Sequence, residues 1–155
     1  MVNYTPKIAR DSKDPLKKSD EKTVLVKDLA SKSFTPLEAD TPIIEAHKKM
    51  VKQNLPGCPV VDEVGCPIGF LSERDCLIRM MQIKYHNDIS VKVKDLMSSE
   101  CFTVKEDDPI LRAVEIFSDK SFHLLPVLNS HKKVVGILTR QSVFRHVVSL
   151  QQQSW

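Results

Sequence analysis

The chain carries the same series of short motifs twice, in the same order and 67 residues apart. The motif pairs are Val-Lys-Asp-Leu at 26–29 and 93–96, Asp-Thr-Pro at 40–42 and Asp-Asp-Pro at 107–109, Pro-Val-Val at 59–61 and Pro-Val-Leu at 126–128, and Gly-Phe-Leu-Ser at 69–72 and Gly-Ile-Leu-Thr at 136–139. A duplication of this kind predicts two similar structural units. Such units usually face each other across a pseudo-twofold axis, and the cleft between them can hold a ligand.

Composition sets the class of protein. With 155 residues, 41% hydrophobic and 28% charged, the chain is typical of one globular domain or two tightly packed half-domains. The net charge of +3 gives no case for nucleic acid as a required partner, although basic residues in the first 22 positions could make weak, salt-dependent contacts. No apolar run reaches the roughly 20 residues that cross a bilayer, and the amino terminus does not resemble a secretion signal. A soluble cytoplasmic protein is the expectation.

The repeat divides the chain into five predicted segments. They are a charged extension (1–23), a first repeat (24–81), a linker (82–92), a second repeat (93–150) and a polar tail (151–155). Hydrophobic spacing predicts the order β-α-β-β-α in each repeat. The fold class is therefore α/β in the broad sense (α+β), with two pseudo-symmetric repeats packed as one module.

The first repeat shows how these elements are predicted. A brief strand is expected over 34–37, and Asp40 is expected to cap a helix that has Pro42 in its first turn. Two apolar strands follow at 58–61 and 68–71, and Ser72 opens a second helix that runs through Met81.

Four cysteines, at 58, 66, 76 and 101, form no C-x-x-C pair and have no histidine at zinc-finger spacing. Free thiols are the prediction. A bond between Cys58 and Cys66 across a hairpin is the alternative that the sequence leaves open.

The four motifs, found in order in both halves, resemble the CBS domain, a module named after cystathionine beta-synthase. The resemblance covers residues 24–150 and has the usual tandem form, called a Bateman module, as in stand-alone bacterial-type CBS proteins. It implies a ligand cleft between the repeats and a homodimer packed through helices.

The segment Ser72–Asp75 is the strongest candidate for ligand contact. Ser72 lies where a strand passes into a helix, so its hydroxyl and the backbone N–H groups of the first turn predict an anion site. Asp75 offers two acceptor oxygens, which suit the vicinal hydroxyls of a ribose. Ser-x-x-Asp at a helix start is also a capping box, in which both side chains only satisfy backbone groups.

The resemblance implies further contacts for an adenosyl ligand. The base would lie in an apolar slot contributed largely by the other repeat, with Phe70 covering it from its own side. We carry this slot over to Met97, Phe102, Phe122 and His123.

A second cleft would involve Thr139, Ile137 and Phe34, but Ser142 stands there in place of the acid. Loss of a charged hydrogen bond costs about 1.5–3 kcal/mol, so this cleft is expected to be weak or empty, or to take a ligand without a ribose diol. His123 occupies the position from which family members often reach a phosphate in this second cleft.

The sequence contains no H-E-x-x-H, nucleophile elbow or P-loop motif, and no metal site or required cofactor is predicted. We therefore expect no enzyme. The leading hypothesis is a stand-alone regulatory module that senses AMP, ADP, ATP, S-adenosylmethionine, NAD or a cyclic dinucleotide and signals to an unknown downstream protein. The alternative is a dimeric scaffold with vestigial clefts. This alternative is favoured by Ser142, which stands where the first repeat has an acid.

Overall fold

The computed structural model describes residues 23–86 and 90–153. Apart from Thr23, the predicted charged extension lies outside the described residues, as do 87–89 of the predicted linker and the last two residues of the tail. The fold is α+β, with two three-stranded sheets and six helices in the described part, as the repeat predicts. None of these helices is long and apolar enough to span a bilayer.

The two repeats contain the same elements in the same order. Those of the first repeat are α1 (Val26–Leu29), β1 (Leu37–Glu38), α2 (Ile43–Gln53), β2 (Gly57–Val61), β3 (Pro67–Ser72) and α3 (Glu73–His86). Those of the second are α4 (Val93–Leu96), β4 (Val104–Lys105), α5 (Ile110–Asp119), β5 (Leu124–Leu128), β6 (Val134–Thr139) and α6 (Arg140–Gln152).

Each sheet is built around a short apolar strand. β2 lies parallel to β1 and antiparallel to β3, and β5 has the same relation to β4 and β6. All five residues of β2 are buried, and Cys58 and Val60 pack in the first core. The register pairs Cys58 with Leu71 in the first sheet and Leu125 with Leu138 in the second. These are equivalent positions of the two repeats, so the two sheets have the same register.

The opening helix of each repeat completes the hydrophobic core of the other repeat. Val26 is fully buried among residues of the second sheet, including Val104 and Leu125. Val93 is fully buried in the first core, with Leu37. The backbone repeats this exchange, since Val26 N–H donates to the Asp108 carbonyl at 2.9 Å, as Val93 N–H does to the carbonyl of Thr41. Neither sheet therefore has a complete core within its own repeat.

The aspartate of the Val-Lys-Asp-Leu motif stabilises the start of the helix in which it lies. Asp28 accepts a hydrogen bond from the N–H of Leu25, and Asp95 accepts one from Lys92, both at 2.8 Å. Each aspartate therefore satisfies a backbone group ahead of a helix of only four residues. This bond holds the short helix in place so that its valine can enter the opposite core.

A residue that follows each exchanged helix then pairs with a strand of the other repeat. Phe70 of β3 and Ser98 exchange two backbone hydrogen bonds of 2.9 Å, and Ile137 of β6 pairs in the same way with Ser31. A side chain at Gly69 would bring a Cβ within 2.6 Å of the Ser98 carbonyl oxygen. Glycine is required there because the two backbones approach so closely.

Asp40 does not cap α2, contrary to the prediction. Pro42 is the N-cap residue and no side chain bonds to the helix start. The Asp40 carboxylate lies 2.7 Å from Lys94 Nζ and 3.4 Å from Lys92 Nζ, and hydrogen bonds from these two lysines hold its pKa below the usual range. Asp107 pairs with Lys27 in the same way at 2.8 Å. These acids therefore join the two repeats, with little effect on stability because they are exposed.

Two boundaries also differ from the prediction. The strand expected over 34–37 contains only Leu37 and continues to Glu38, because only these residues pair with β2. α3 continues past Met81 to His86, into the segment predicted as the linker.

Val26→Ala tests the exchange of the opening helices. Truncating this fully buried side chain should lower the free energy of unfolding by about 2 kcal/mol, because it opens a cavity in the core of the second repeat. The measurement is urea denaturation followed by circular dichroism. Val64→Ala is the matched control, since Val64 is 60% exposed in a turn. Equal stability of the two variants would contradict the exchange.

Candidate ligand-binding cleft

A cleft with a volume of about 740 Å³ lies between the two repeats. Its lining includes every residue predicted for the main site except Met97, namely Phe70, Ser72, Asp75, Phe102, Phe122 and His123. Met97 is half-buried and packs against the core of the first sheet. The cleft is large enough for a nucleotide-sized ligand.

Ser72 and Asp75 are joined by two hydrogen bonds at the start of α3. The Ser72 hydroxyl accepts from the N–H of Asp75 at 3.1 Å and donates to Asp75 Oδ2 at 2.6 Å. Ser72 therefore caps the helix, which is the structural role that the motif also allowed. The bond from the Ser72 hydroxyl is the only hydrogen bond to the Asp75 carboxylate within the described residues. The carboxylate therefore has further acceptor positions for a ligand in the cleft.

The predicted anion site at the helix start is largely occupied by the protein itself. Besides the Asp75 N–H, which Ser72 caps, the N–H of Glu73 donates to the Pro56 carbonyl at 2.9 Å. Two N–H groups of the first turn are thus satisfied internally. Side-chain cations of the cleft are available to an anionic ligand group in addition.

Those cations are Arg74 and Lys120, which line the cleft together with the carboxylates of Glu73, Asp75 and Glu100. Sequence analysis did not single out either cation. Arg74 lies inside the Ser72–Asp75 motif, which is a signal that could have identified it. Lys120 is brought to the cleft only by the way in which α5 ends, and no motif marks it.

The second repeat supplies an aromatic wall. The ring centroids of Phe102 and Phe122 lie 4.9 Å apart with planes tilted by 41°, and both rings pack against the second core. Lys120 Nζ lies 5.6 Å from the centroid of Phe102, within range of a cation–π contact. Phe70 lines the cleft from the first repeat. These rings can enclose a flat heteroaromatic base.

The equivalent position in the second repeat is arranged differently. Thr139 Oγ1 caps α6 by accepting from the N–H of Ser142 at 3.1 Å, and the Ser142 hydroxyl donates to the Thr139 carbonyl at 2.8 Å. Ser142 therefore bonds to backbone and does not replace the missing carboxylate. Ile137 is buried and bonded through its backbone to Ser31, whereas Phe34 is half-buried.

The four cysteines are free, so the alternative of a Cys58–Cys66 bond is wrong. Burial raises the pKa of Cys58 to about 12, and the pKa of both Cys76 and Cys101 to about 11. These three thiols are therefore poor nucleophiles. No group of three or more metal-ligating side chains occurs in the described ranges.

Comparison with known proteins places this geometry in a family. The CBS domain model matches residues 26–82 and 93–149, which together form most of the chain. The CBS domain pair of protein MJ0100, solved with 5′-methylthioadenosine and S-adenosyl-L-methionine, superposes with a TM-score of 0.67 at 27% identity, over 83% of this chain and 98% of that one. CBSX2 from Arabidopsis thaliana, solved with AMP, superposes with a TM-score of 0.69 over 82% and 98% of the two chains. At 24% sequence identity, this similarity shows only that the two proteins share a fold.

Two curated relatives that match the chain are longer than it is. Protein MK0525 of Methanopyrus kandleri is 31% identical over 102 residues, which are 66% of this chain and 52% of that protein. The L-aspartate semialdehyde sulfurtransferase of Methanocaldococcus jannaschii is 29% identical over 121 residues, which are 78% of this chain and 23% of the enzyme. The match thus covers about half of the first relative and about a quarter of the second, and their activities do not transfer with it.

Ser72→Ala tests the cap of α3. Loss of the hydroxyl leaves the Asp75 N–H without its acceptor, so the free energy of unfolding should fall by about 1 kcal/mol, and Ser72→Thr should restore most of it. Urea denaturation measures both. The control is Ser99→Ala, because Ser99 is exposed and has no side-chain hydrogen bond to the described residues. If the two alanine variants are equally stable, Ser72 does not cap the helix.

Proposed function

Because the chain belongs to the CBS domain family, we propose that it is a regulatory module that binds an adenosyl-type ligand between its repeats and signals to a partner protein. The ligand classes are AMP, ADP, ATP, S-adenosylmethionine, NAD and cyclic dinucleotides. The observation that carries this proposal is the single cleft that places Asp75 and three phenylalanine rings around one volume.

The cleft offers a separate contact for each part of an adenosine. Asp75 can accept from the two ribose hydroxyls in addition to the hydrogen bond that it accepts from Ser72. The base fits between Phe70 and the pair formed by Phe102 and Phe122. Arg74, Lys120 and His123 remain for a phosphate or carboxylate.

The relatives support the same ligand class. The MJ0100 domain pair, at 27% identity, was solved with two adenosyl compounds, 5′-methylthioadenosine and S-adenosyl-L-methionine. We infer that the main cleft of this chain takes a ligand of the same kind. The position with Ser142 is expected to bind more weakly, because its hydroxyl is used on the backbone.

Binding can regulate a partner only through a difference between two states of the protein. A ligand that contacts Asp75 on one repeat and Phe122 on the other favours the arrangement in which both contacts form. The exchanged helices α1 and α4 connect the repeats, so a shift of one repeat also affects the core of the other.

A melting-temperature series with AMP, ATP, S-adenosylmethionine, NAD and a cyclic dinucleotide tests the ligand proposal. A ligand at a hundred times its dissociation constant adds about 2.7 kcal/mol to stability, which raises the melting temperature by several degrees. Asp75→Ala should remove most of this shift. Glu63→Ala, which removes an exposed carboxylate from a turn of the same repeat, should keep it. If no ligand raises the melting temperature of the wild-type protein, the sensing proposal is wrong.

We propose in addition that the chain forms a homodimer through α3 and α6, a role that would remain if the clefts were vestigial. Large apolar side chains on these helices are exposed to solvent, namely Leu77, Met80, Met81, Phe144 and Val147. Exposed apolar patches of this kind mark interfaces. Val143 of α6 does not belong to this patch, because it is 6% exposed and packs in the second core. It faces inward because it follows the apolar spacing of α6.

Phe144→Asp tests the dimer. A charge at this position, where the phenylalanine is 66% exposed, should convert a dimer into a monomer without loss of folding. Val64→Asp places the same charge on an exposed apolar residue of a turn and should leave the dimer intact. Sedimentation velocity distinguishes the two states. A monomeric wild-type protein would overturn this part of the proposal.

A further inference from the structure

We propose that Arg140 is a positioning residue for the cleft, because it fixes the tautomer of His123 and so makes this histidine a hydrogen-bond donor to the ligand. The ligand half of this inference rests on the proposed function, whereas the tautomer half concerns the free protein.

The tautomer follows from one contact. Arg140 Nη2 lies 2.9 Å from His123 Nδ1. A guanidinium can only donate hydrogen bonds, so Nδ1 must be the acceptor and the ring proton of the neutral imidazole must be on Nε2. His123 then presents an N–H, without a positive charge, as its remaining polar group.

The backbone brings these two side chains together. The N–H of Arg140, the first residue of α6, donates to the carbonyl of His123 at 3.0 Å. The first repeat has the same link, from Glu73 to Pro56 at 2.9 Å. The link is thus part of the repeated fold, and only the second repeat carries an arginine and a histidine on it.

The tautomer of His123 affects how the cleft binds the polar end of the ligand. His123 lines the main cleft, as do Lys120 and Glu100 of the same repeat. A neutral N–H donor beside the ammonium of Lys120 suits an acceptor oxygen, such as that of a phosphate. 5′-Methylthioadenosine has no charged oxygen at this end and would not use the contact.

The tautomer can be measured in the free, full-length protein by nitrogen-15 NMR of the imidazole rings, at a pH where histidine is neutral. We expect the His123 ring to carry its proton on Nε2, and Arg140→Gln to weaken this preference. Arg140→Lys should retain it, because an ammonium also only donates. A wild-type His123 that is protonated on Nδ1 overturns the inference.

Binding of AMP and 5′-methylthioadenosine by calorimetry tests the effect on the ligand. Arg140→Gln should weaken AMP about three- to tenfold, the value of one hydrogen bond, and leave 5′-methylthioadenosine unchanged. Arg145→Gln is the matched control, since it removes the same charge from the same helix at a residue that makes no hydrogen bond to His123 in the described structure. If both variants lose the same affinity for AMP, the effect comes from net charge alone, and the role of Arg140 through His123 is wrong.

Combination with His123→Gln completes the test. If Arg140 acts through His123, Arg140→Gln should cause no further loss of AMP affinity in the His123→Gln background. An undiminished loss there refutes a role through His123. Failure of both adenosyl compounds to bind the wild-type protein would refute the ligand half of this inference. The melting-temperature series would still decide the proposed function, and the NMR result would still decide the tautomer.

Discussion

The exchange of the opening helices is the constraint on which the rest of the structure depends. Val26 and Val93 each fill a core that the other repeat would otherwise leave incomplete. Ser98, which follows the exchanged helix α4, then pairs with Phe70 along β3. This pairing places the segment that carries Phe102 beside the start of α3, so the wall of one repeat and the helix start of the other enclose the same volume.

The two repeats have the same backbone fold but differ in the side-chain contacts at the starts of α3 and α6. In the first, the capping Ser72 is bonded to the carboxylate of Asp75, which lines the cleft, and in the second Ser142, which stands in place of this acid, is bonded to backbone. In the second, Arg140 can hold His123, whereas the same backbone link in the first joins Glu73 to Pro56. Duplication thus preserved the frame, and substitutions at the helix starts divided the roles between its halves.

Much of the fold and site could be predicted from local patterns, and the misses have a common cause. Ser72 and Asp75 were found because helix capping and ligand contact both require these residue types at this spacing. Asp40 was placed wrongly because its real partners, Lys94 of the second repeat and Lys92 at the end of the linker, are distant in the sequence. Lys120 was missed because its place in the cleft depends on how α5 ends and not on any motif. Met97 was assigned to the cleft but packs against a core.

The amino-acid sequence by itself determined the duplication, the order of elements and the acid that only one repeat retains, because these depend on residue types at fixed spacing. The tertiary structure alone decided which residues meet across the repeats. Packing of Val26 and Val93 into opposite cores is a contact between distant segments, and this contact helps to bring Asp75 and Phe122 to one cleft. Local spacing carries no information about such pairs, since burial of apolar surface acts on the assembled chain.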